Sequence, residues 1–327
     1  MAMSRCGKCY HLAEHEREAV GTQIACAHCG TVTAVYDTVF FVSRLLEQYF
    51  AQRRELQELR APLLTPEVLQ TDAGKSSEIN IHDTDRFSND AQHQSIIDWF
   101  RKKSITVAID SGAVDTSGFF DEAAIALGSD YGLCKEVIDR VRYAQQKEFN
   151  SALIHIEHKT SDDIKALEAI GRKLYDYSLV ARFFHNKQEK NFRLVLQNAP
   201  AVRHFFAGGW LEWFALMTGL RVLQERSATF SCARNLVLSY PPNEKRELDV
   251  FFLVDNSKPI YIECKSGEFR QDLDKYVALR KKLAIDSRSF IVCVADIDGD
   301  RAKALGAMYD MTFTNTDSLG PHLATLI

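Results

Sequence analysis

The chain of 327 residues lacks any run of about 18 apolar residues, the length needed to cross a hydrocarbon core, so no membrane partner is expected. Its first residues carry no signal-peptide apolar core, and the expected compartment is the cytoplasm, where thiols stay reduced. A large excess of one charge is missing as well. Forty Lys and Arg stand against 44 Asp and Glu, for a net charge of -4, which excludes a histone-like coat. Local basic patches remain compatible with phosphate binding. There is no internal repeat and no low-complexity tract, which sets aside repeat architectures. No glycine-rich loop of the phosphate-cradling kind supports a nucleotide site in the middle of the chain. A disulfide framework is absent too: of eight cysteines, four are paired at short spacing and four are scattered.

What is there is an ordinary globular composition, 46% hydrophobic and 26% charged, enough for at least one sizeable core and two or three domains. Cys6-Gly7-Lys8-Cys9 and Cys26-Ala27-His28-Cys29 form two CxxC knuckles with 16 residues between them. Each knuckle puts two thiolates on one turn, and the pair completes a tetrahedral sulfur shell for Zn2+. The alternative, redox-active dithiols, belongs to a thioredoxin-like context that this sequence does not supply. With all four positions filled by Cys6, Cys9, Cys26 and Cys29, the site is expected to be closed and structural. It holds together a zinc ribbon over residues 1–36 that is too small to fold by burial alone. The ribbon's partner is expected to be nucleic acid or a protein surface.

Residues 37–95 read as a helix at 39–60, ended by Pro62 and Pro66, and then a polar linker over 70–95. Residues 96–200 read as an α/β middle region with strands at 105–109, 152–156 and 192–196. Its helical stretches are 119–149, interrupted at Gly128 and Gly132, and 161–187, with Ser161 as N-cap. A sensor or a nucleic-acid-binding surface are the roles open to it. Glu157-His158-Lys159 copies the Glu-Xaa-Lys spacing without a partner acid on a neighbouring strand, and Asp110 ends a strand without converging acids. Both read as solvated strand ends.

The C-terminal third, 201–327, carries the chemistry. A helix at 203–224 precedes strands at 229–240, 247–254 and 260–265. A helix at 271–283, a strand at 290–295, a helix at 301–309 and a short strand at 311–313 follow. Asp249 lies inside an apolar strand, and Glu263 and Lys265 end the next one, on one face because strand side chains alternate. Two carboxylates brought together on a buried sheet repel and lose hydration; a divalent cation with a taste for hard oxygen ligands, Mg2+ or Mn2+, offsets both costs. Lys265 then orients the attacking water. Glu212 is the one acid of an otherwise apolar helix and needs a partner, either a metal-bound water or a salt bridge. Lys245, Arg246, Arg234 and Arg270 are candidates for phosphate contacts.

In this motif order the segment resembles the PD-(D/E)XK nucleases. Gly208-Gly209-Trp210-Leu211-Glu212, Glu247-Leu248-Asp249-Val250 and Ile262-Glu263-Cys264-Lys265 are similar to the nuclease domain of CRISPR ancillary effectors activated by cyclic oligoadenylate. The resemblance covers residues 200–327. It implies an α/β fold with a restriction-endonuclease-like core, a mixed sheet flanked by helices. It also implies hydrolysis of DNA, with RNA as the second choice, by Mg2+ or Mn2+ held by Asp249, Glu263 and the backbone carbonyl of Cys264, a homodimer, and a role in antiviral defence. Those effectors carry a Rossmann-like nucleotide sensor ahead of the nuclease, where this chain has a zinc ribbon and a shorter α/β region. Two alternatives stand beside the nuclease reading: an effector gated by a signalling nucleotide, and a non-catalytic zinc-ribbon binding module.

Overall fold

A computed structural model describes residues 2–9, 11–38, 87, 90–114, 118–240 and 244–327. The helix expected at 39–60 lies outside the described residues. The chain divides into two compact units, Met1–Lys75 and Ser76–Ile327.

In the first unit four short strands, β1 (Ala2–Arg5), β2 (Leu12–His15), β3 (Gln23–Ala25) and β4 (Val32–Asp37), form an antiparallel sheet in the order β2-β1-β4-β3. Each knuckle is the turn of a hairpin: Cys6 N–H donates to His11 O (2.9 Å) and Cys26 N–H to Thr31 O (2.9 Å). Gly30 closes the second turn with a left-handed φ of 70°, a conformation that glycine adopts at no steric cost.

The second unit is mixed α/β. Its main sheet has the order β13-β12-β11-β10-β9-β5, built from β5 (Thr106–Ala108), β9 (Phe230–Tyr240), β10 (Glu244–Val254), β11 (Lys258–Lys265), β12 (Phe290–Val294) and β13 (Thr312–Thr314). The strands from β5 to β11 pair antiparallel, and β11, β12 and β13 run parallel. Both faces are covered. On one face lie α1 (Asp90–Arg101), α7 (Leu273–Leu283) and α8 (Gly299–Tyr309), around a core that includes Phe100, Phe251, Tyr261, Leu283 and Phe290. Against the other pack α2 (Phe120–Ser129), α6 (Trp210–Glu225) and α9 (Thr316–Ala324), around Leu127, Trp210, Phe252, Ile262 and Leu319. This second core continues into α3 (Tyr131–Gln146), α4 (Ser161–Asp176) and a three-stranded antiparallel sheet, β6-β8-β7, of β6 (Ser151–His155), β7 (Val180–Asn186) and β8 (Asn191–Leu196). The middle of the chain therefore shares a core with the C-terminal sheet, and β5 lies on the edge of that sheet.

Three local expectations are corrected. The polar stretch ends earlier than 95, since α1 begins at Asp90. The helical stretch 119–149 is two helices, broken at Asp130 (φ -136°, ψ 56°). The helix expected over 161–187 stops at Asp176, and its N-cap is Thr160, not Ser161. Thr160 accepts from Asp163 N–H, and the Asp163 carboxylate accepts from Thr160 N–H, a reciprocal capping box. After a left-handed Ser178 (φ 58°), the Val-Ala-Arg-Phe-Phe stretch of 180–184 takes the extended form that its β-branched and aromatic residues favour. Among the described residues no helix is long and apolar enough to cross a membrane.

Candidate active site

The helix that carries Glu212 is entered through α5 (Pro200–His204) and a single π turn, Phe205–Gly209. A Cβ on Gly208 would meet Ser266 Oγ at 3.1 Å, so this turn closes on the chain one residue beyond Lys265. Twelve of the sixteen residues of α6 are buried, which fixes the helix against the sheet and leaves Glu212 in apolar surroundings.

The strands break step where they meet the site. In a regular strand, residues two apart share a face. On β10, however, Leu248 joins the core under α7 and Val250 the opposite core, with Asp249 between them. Across on β9, Ala233 and Leu236 share a core although they are three apart, and Asn235 between them is left-handed (φ 56°). Asn235 and Asp249 face each other at the one step missing from the register between Leu248↔Leu236 and Val250↔Arg234. The irregularity frees the Asp249 carboxylate from strict alternation, and its Oδ2 accepts from Cys264 N–H at 2.7 Å on β11.

On β11, Tyr261, Glu263 and Lys265 share a face. Lys265 Nζ lies 2.8 Å from Glu263 Oε1, and the buried Tyr261 hydroxyl donates to Glu263 Oε2. Tyr261 N–H donates to Ser289 O and Ala295 N–H to Lys265 O, so odd-numbered residues of β11 bond to β12. Cys264 therefore turns both its N–H and its carbonyl toward β10 and Asp249. Glu212, on α6, pairs with Arg234 (2.9 Å), whose Nε donates to Ala113 O (2.8 Å) and whose guanidinium lies over the Trp213 ring.

The electrostatics follow from burial. Burial, then the charges of Glu263 and Glu212, hold the Asp249 carboxyl well above the usual carboxylate range, despite the Cys264 N–H and Lys265. Burial presses on the Lys265 ammonium, but the Glu263 carboxylate beside it outweighs this and holds the pKa above the ordinary lysine value. Burial raises Glu212 and lowers Arg234; each attracts the other's charge, and in both cases desolvation is the larger effect. Three acids thus face two cations in a largely dehydrated place, and among the described residues no cation is paired with Asp249. Excess buried negative charge flanked by carboxylate and carbonyl oxygens fits Mg2+ or Mn2+.

Of the residues singled out in the sequence, Asp249 is bonded to Cys264 N–H and Glu263 to Lys265, and the charges of Glu263 and Lys265 are felt at Asp249. Glu212 contributes to the field at Asp249, but its carboxylate is taken by Arg234. Among the described residues, the one group of three or more His, Cys or carboxylate side chains with donor atoms all within 4.8 Å is Cys6, Cys9, Cys26 and Cys29. The three acids do not form such a group. Arg234 is a buried ion-pair partner rather than an exposed phosphate contact. Arg246 pairs with Glu244 and Arg270 with Glu268. Of the two strand-end motifs, Lys159 binds Glu136 (3.0 Å), and Asp110 accepts from Gly112 N–H. Tyr261 is not among the expected site residues, although its place two residues before Glu263 on an alternating strand puts it on the same face.

In the ribbon, Cys6 Sγ lies 3.4 Å from Cys29 Sγ and Cys9 Sγ 3.6 Å from Cys26 Sγ. Thr31 pulls the Cys29 thiol down to about 6. Cys9 is lowered by the His11 backbone, yet burial and the neighbouring thiols push it up to about 12. Four thiols at this separation cannot all ionise without a cation among them, which is the donor chemistry that Zn2+ fits.

No family model matches the chain, and no curated protein sequence matches it. Among solved structures it is similar to protein VC1899 from Vibrio cholerae, at a TM-score of 0.47 and 17% identity over 71% of this chain and 60% of that one. It is also similar to Can2 from Sulfobacillus thermosulfidooxidans, solved in complex with cyclic tetra-adenylate. That match has a TM-score of 0.47 and 13% identity over 70% of this chain and 59% of that one. The chain spans less than two thirds of the length of either, and likenesses of this size assign no family.

Proposed function

We propose that the chain is a metal-dependent nuclease of the PD-(D/E)XK type, acting on DNA or RNA. The observation that carries this reading is the Asp249 carboxylate bonded from β10 to Cys264 N–H on β11, next in the chain to Glu263, with Lys265 2.8 Å from Glu263 and, among the described residues, no cation paired with Asp249. Asp249, Glu263 and the Cys264 carbonyl would hold Mg2+ or Mn2+, and the ion would supply a Lewis acid for the phosphate. Tyr261 fixes one oxygen of Glu263 and thereby its orientation. Lys265, held charged, has its side chain 28% exposed and is placed to orient an attacking water or a phosphate oxygen. Arg234 keeps Glu212 paired and the α6 side of the site fixed. A homodimer is part of the same reading, and sedimentation checks it.

The test is incubation of the purified protein with plasmid, single-stranded DNA and RNA, with and without Mn2+. Mn2+-dependent cleavage should fall at least about 100-fold in Asp249→Ala and Lys265→Ala, with circular dichroism unchanged. Cleavage at the wild-type rate in both variants would remove the site assignment. Cleavage only after a cyclic oligoadenylate is added would make the chain a ligand-gated effector.

A further inference from the structure

The sheet β6-β8-β7 buries one face and leaves the other open. Ala152, Ile154, Phe192 and Leu194 point into the core. Opposite them, Leu153, Arg193 and Phe184 form a cross-strand row, since Leu153↔Arg193 and Phe184↔Arg193 are register pairs. Arg182 stands in the next row, across from Val195. Leu153 is 42% and Phe184 47% exposed, in a sheet whose buried positions hold aliphatic and aromatic side chains and Asn191. The row lines a hollow of about 820 Å³ that reaches the β7–β8 hairpin and includes Lys187 and Glu189.

The cations on this face outnumber its acids. Among the described residues no carboxylate lies within 4.0 Å of Arg182, Arg193 or Lys187, whereas most other arginines of this unit are paired or bonded. The one acid of the hollow, Glu189, has its Oε2 engaged by the Asn191 amide (3.3 Å). An exposed aromatic ring that lines one hollow with Arg193 and Lys187, and has Arg182 two residues before it on the same strand, offers an unpaired strand both a stacking surface and cations. The ring stacks a base and the cations meet the backbone. A protein partner would be expected to find a less charged centre.

We infer that this face binds single-stranded nucleic acid, with a base on Phe184 and phosphates on Arg182, Arg193 and Lys187. The surface is separate from the Asp249–Glu263 site, and its binding stands or falls without cleavage.

Fluorescence anisotropy with a labelled twelve-nucleotide oligo(U), and with oligo(dT) as a second probe, tests it with no divalent ion added. Phe184→Ala and Arg193→Ala are each expected to weaken binding about tenfold, and Phe184→Trp to retain it. The double variant Arg182→Ala/Arg193→Ala should flatten the plot of log affinity against log salt by about 0.7 for each phosphate left without its arginine. All these side chains face water, so melting temperatures should not move. Wild-type affinity in Phe184→Ala and Arg193→Ala would overturn the inference, as would equal affinity for a blunt duplex of the same length. Self-association abolished in these variants while the oligonucleotide still binds would overturn it too, by assigning the face to a second copy of the chain.

Discussion

At Asp249 two costs fall on one carboxyl: loss of water and the nearby charges of Glu263 and Glu212. A carboxyl raised above its ordinary value of 3.8 holds its proton better in the folded chain than in the unfolded one. Stability therefore falls as pH rises from 3.8 through the folded value, because the native state has the more protons to lose. Asp249→Asn removes that loss and keeps an oxygen to accept from Cys264 N–H. In metal-free protein it is expected to be more stable than wild type at pH 8 by about 1 kcal/mol, roughly 2 °C in Tm. The gain should vanish below 3.8, and cleavage should be lost. Thermal melts at pH 4 and pH 8 read the difference; a less stable variant at pH 8 would contradict it. The Glu212–Arg234 pair makes the opposite case. Arg234→Met strands a buried carboxylate and should cost about 3–5 kcal/mol in urea unfolding, most of it recovered in Glu212→Gln/Arg234→Met. That pairing was only half legible in the sequence. Glu212 stands out as the single acid of an apolar helix, while Arg234 reads as a phosphate contact because an isolated cation shows no partner along its own strand. Two opposite charges, each inside an apolar element, are expected to find each other once the topology sets α6 against β9.

At the scale of elements, the hairpin β10–β11 and its Glu-Xaa-Lys end were legible because long apolar strands with a polar turn fix register. The break at Asn235 and Asp249 was not, since alternation counted along one strand cannot show where two strands step out together. The over-long helix at 161–187 has a similar cause: the end of α4 at Asp176 is not marked by a strong breaker, and the packing of Val180 and Phe183 on the core adds to the extended preference of 180–184. The core side of α6 can be probed directly. A Cβ at Gly219 would stand 2.4 Å from Phe252 Cζ. Gly219→Ala is therefore expected to cost about 1–3 kcal/mol despite alanine's better helix propensity, by overpacking a ring held in the core. Unchanged denaturant stability would show that the ring has room to move.

At the scale of the whole molecule, the two units keep separate chemistries. The ribbon's four thiols converge as their spacing predicted, because a CxxC on a hairpin turn has few ways to arrange its sulfurs. Cys6→Ser or Cys29→Ser should release zinc, seen by metal analysis, and unfold residues 1–36 while the melting of the second unit stays put. Loss of both transitions together would mean that the units fold as one. In the second unit the helix-flanked mixed sheet sets the middle of β10, with Asp249, beside the C-terminal end of β11, with Glu263 and Lys265. The most direct measurement of what they do there is an anomalous-difference map from crystals soaked in Mn2+. A peak in contact with both Asp249 and Glu263, absent in Asp249→Asn, is the predicted result. At saturating Mn2+, a map empty at those two carboxylates, with Lys265 still closed on Glu263, would contradict the metal-dependent chemistry at its root.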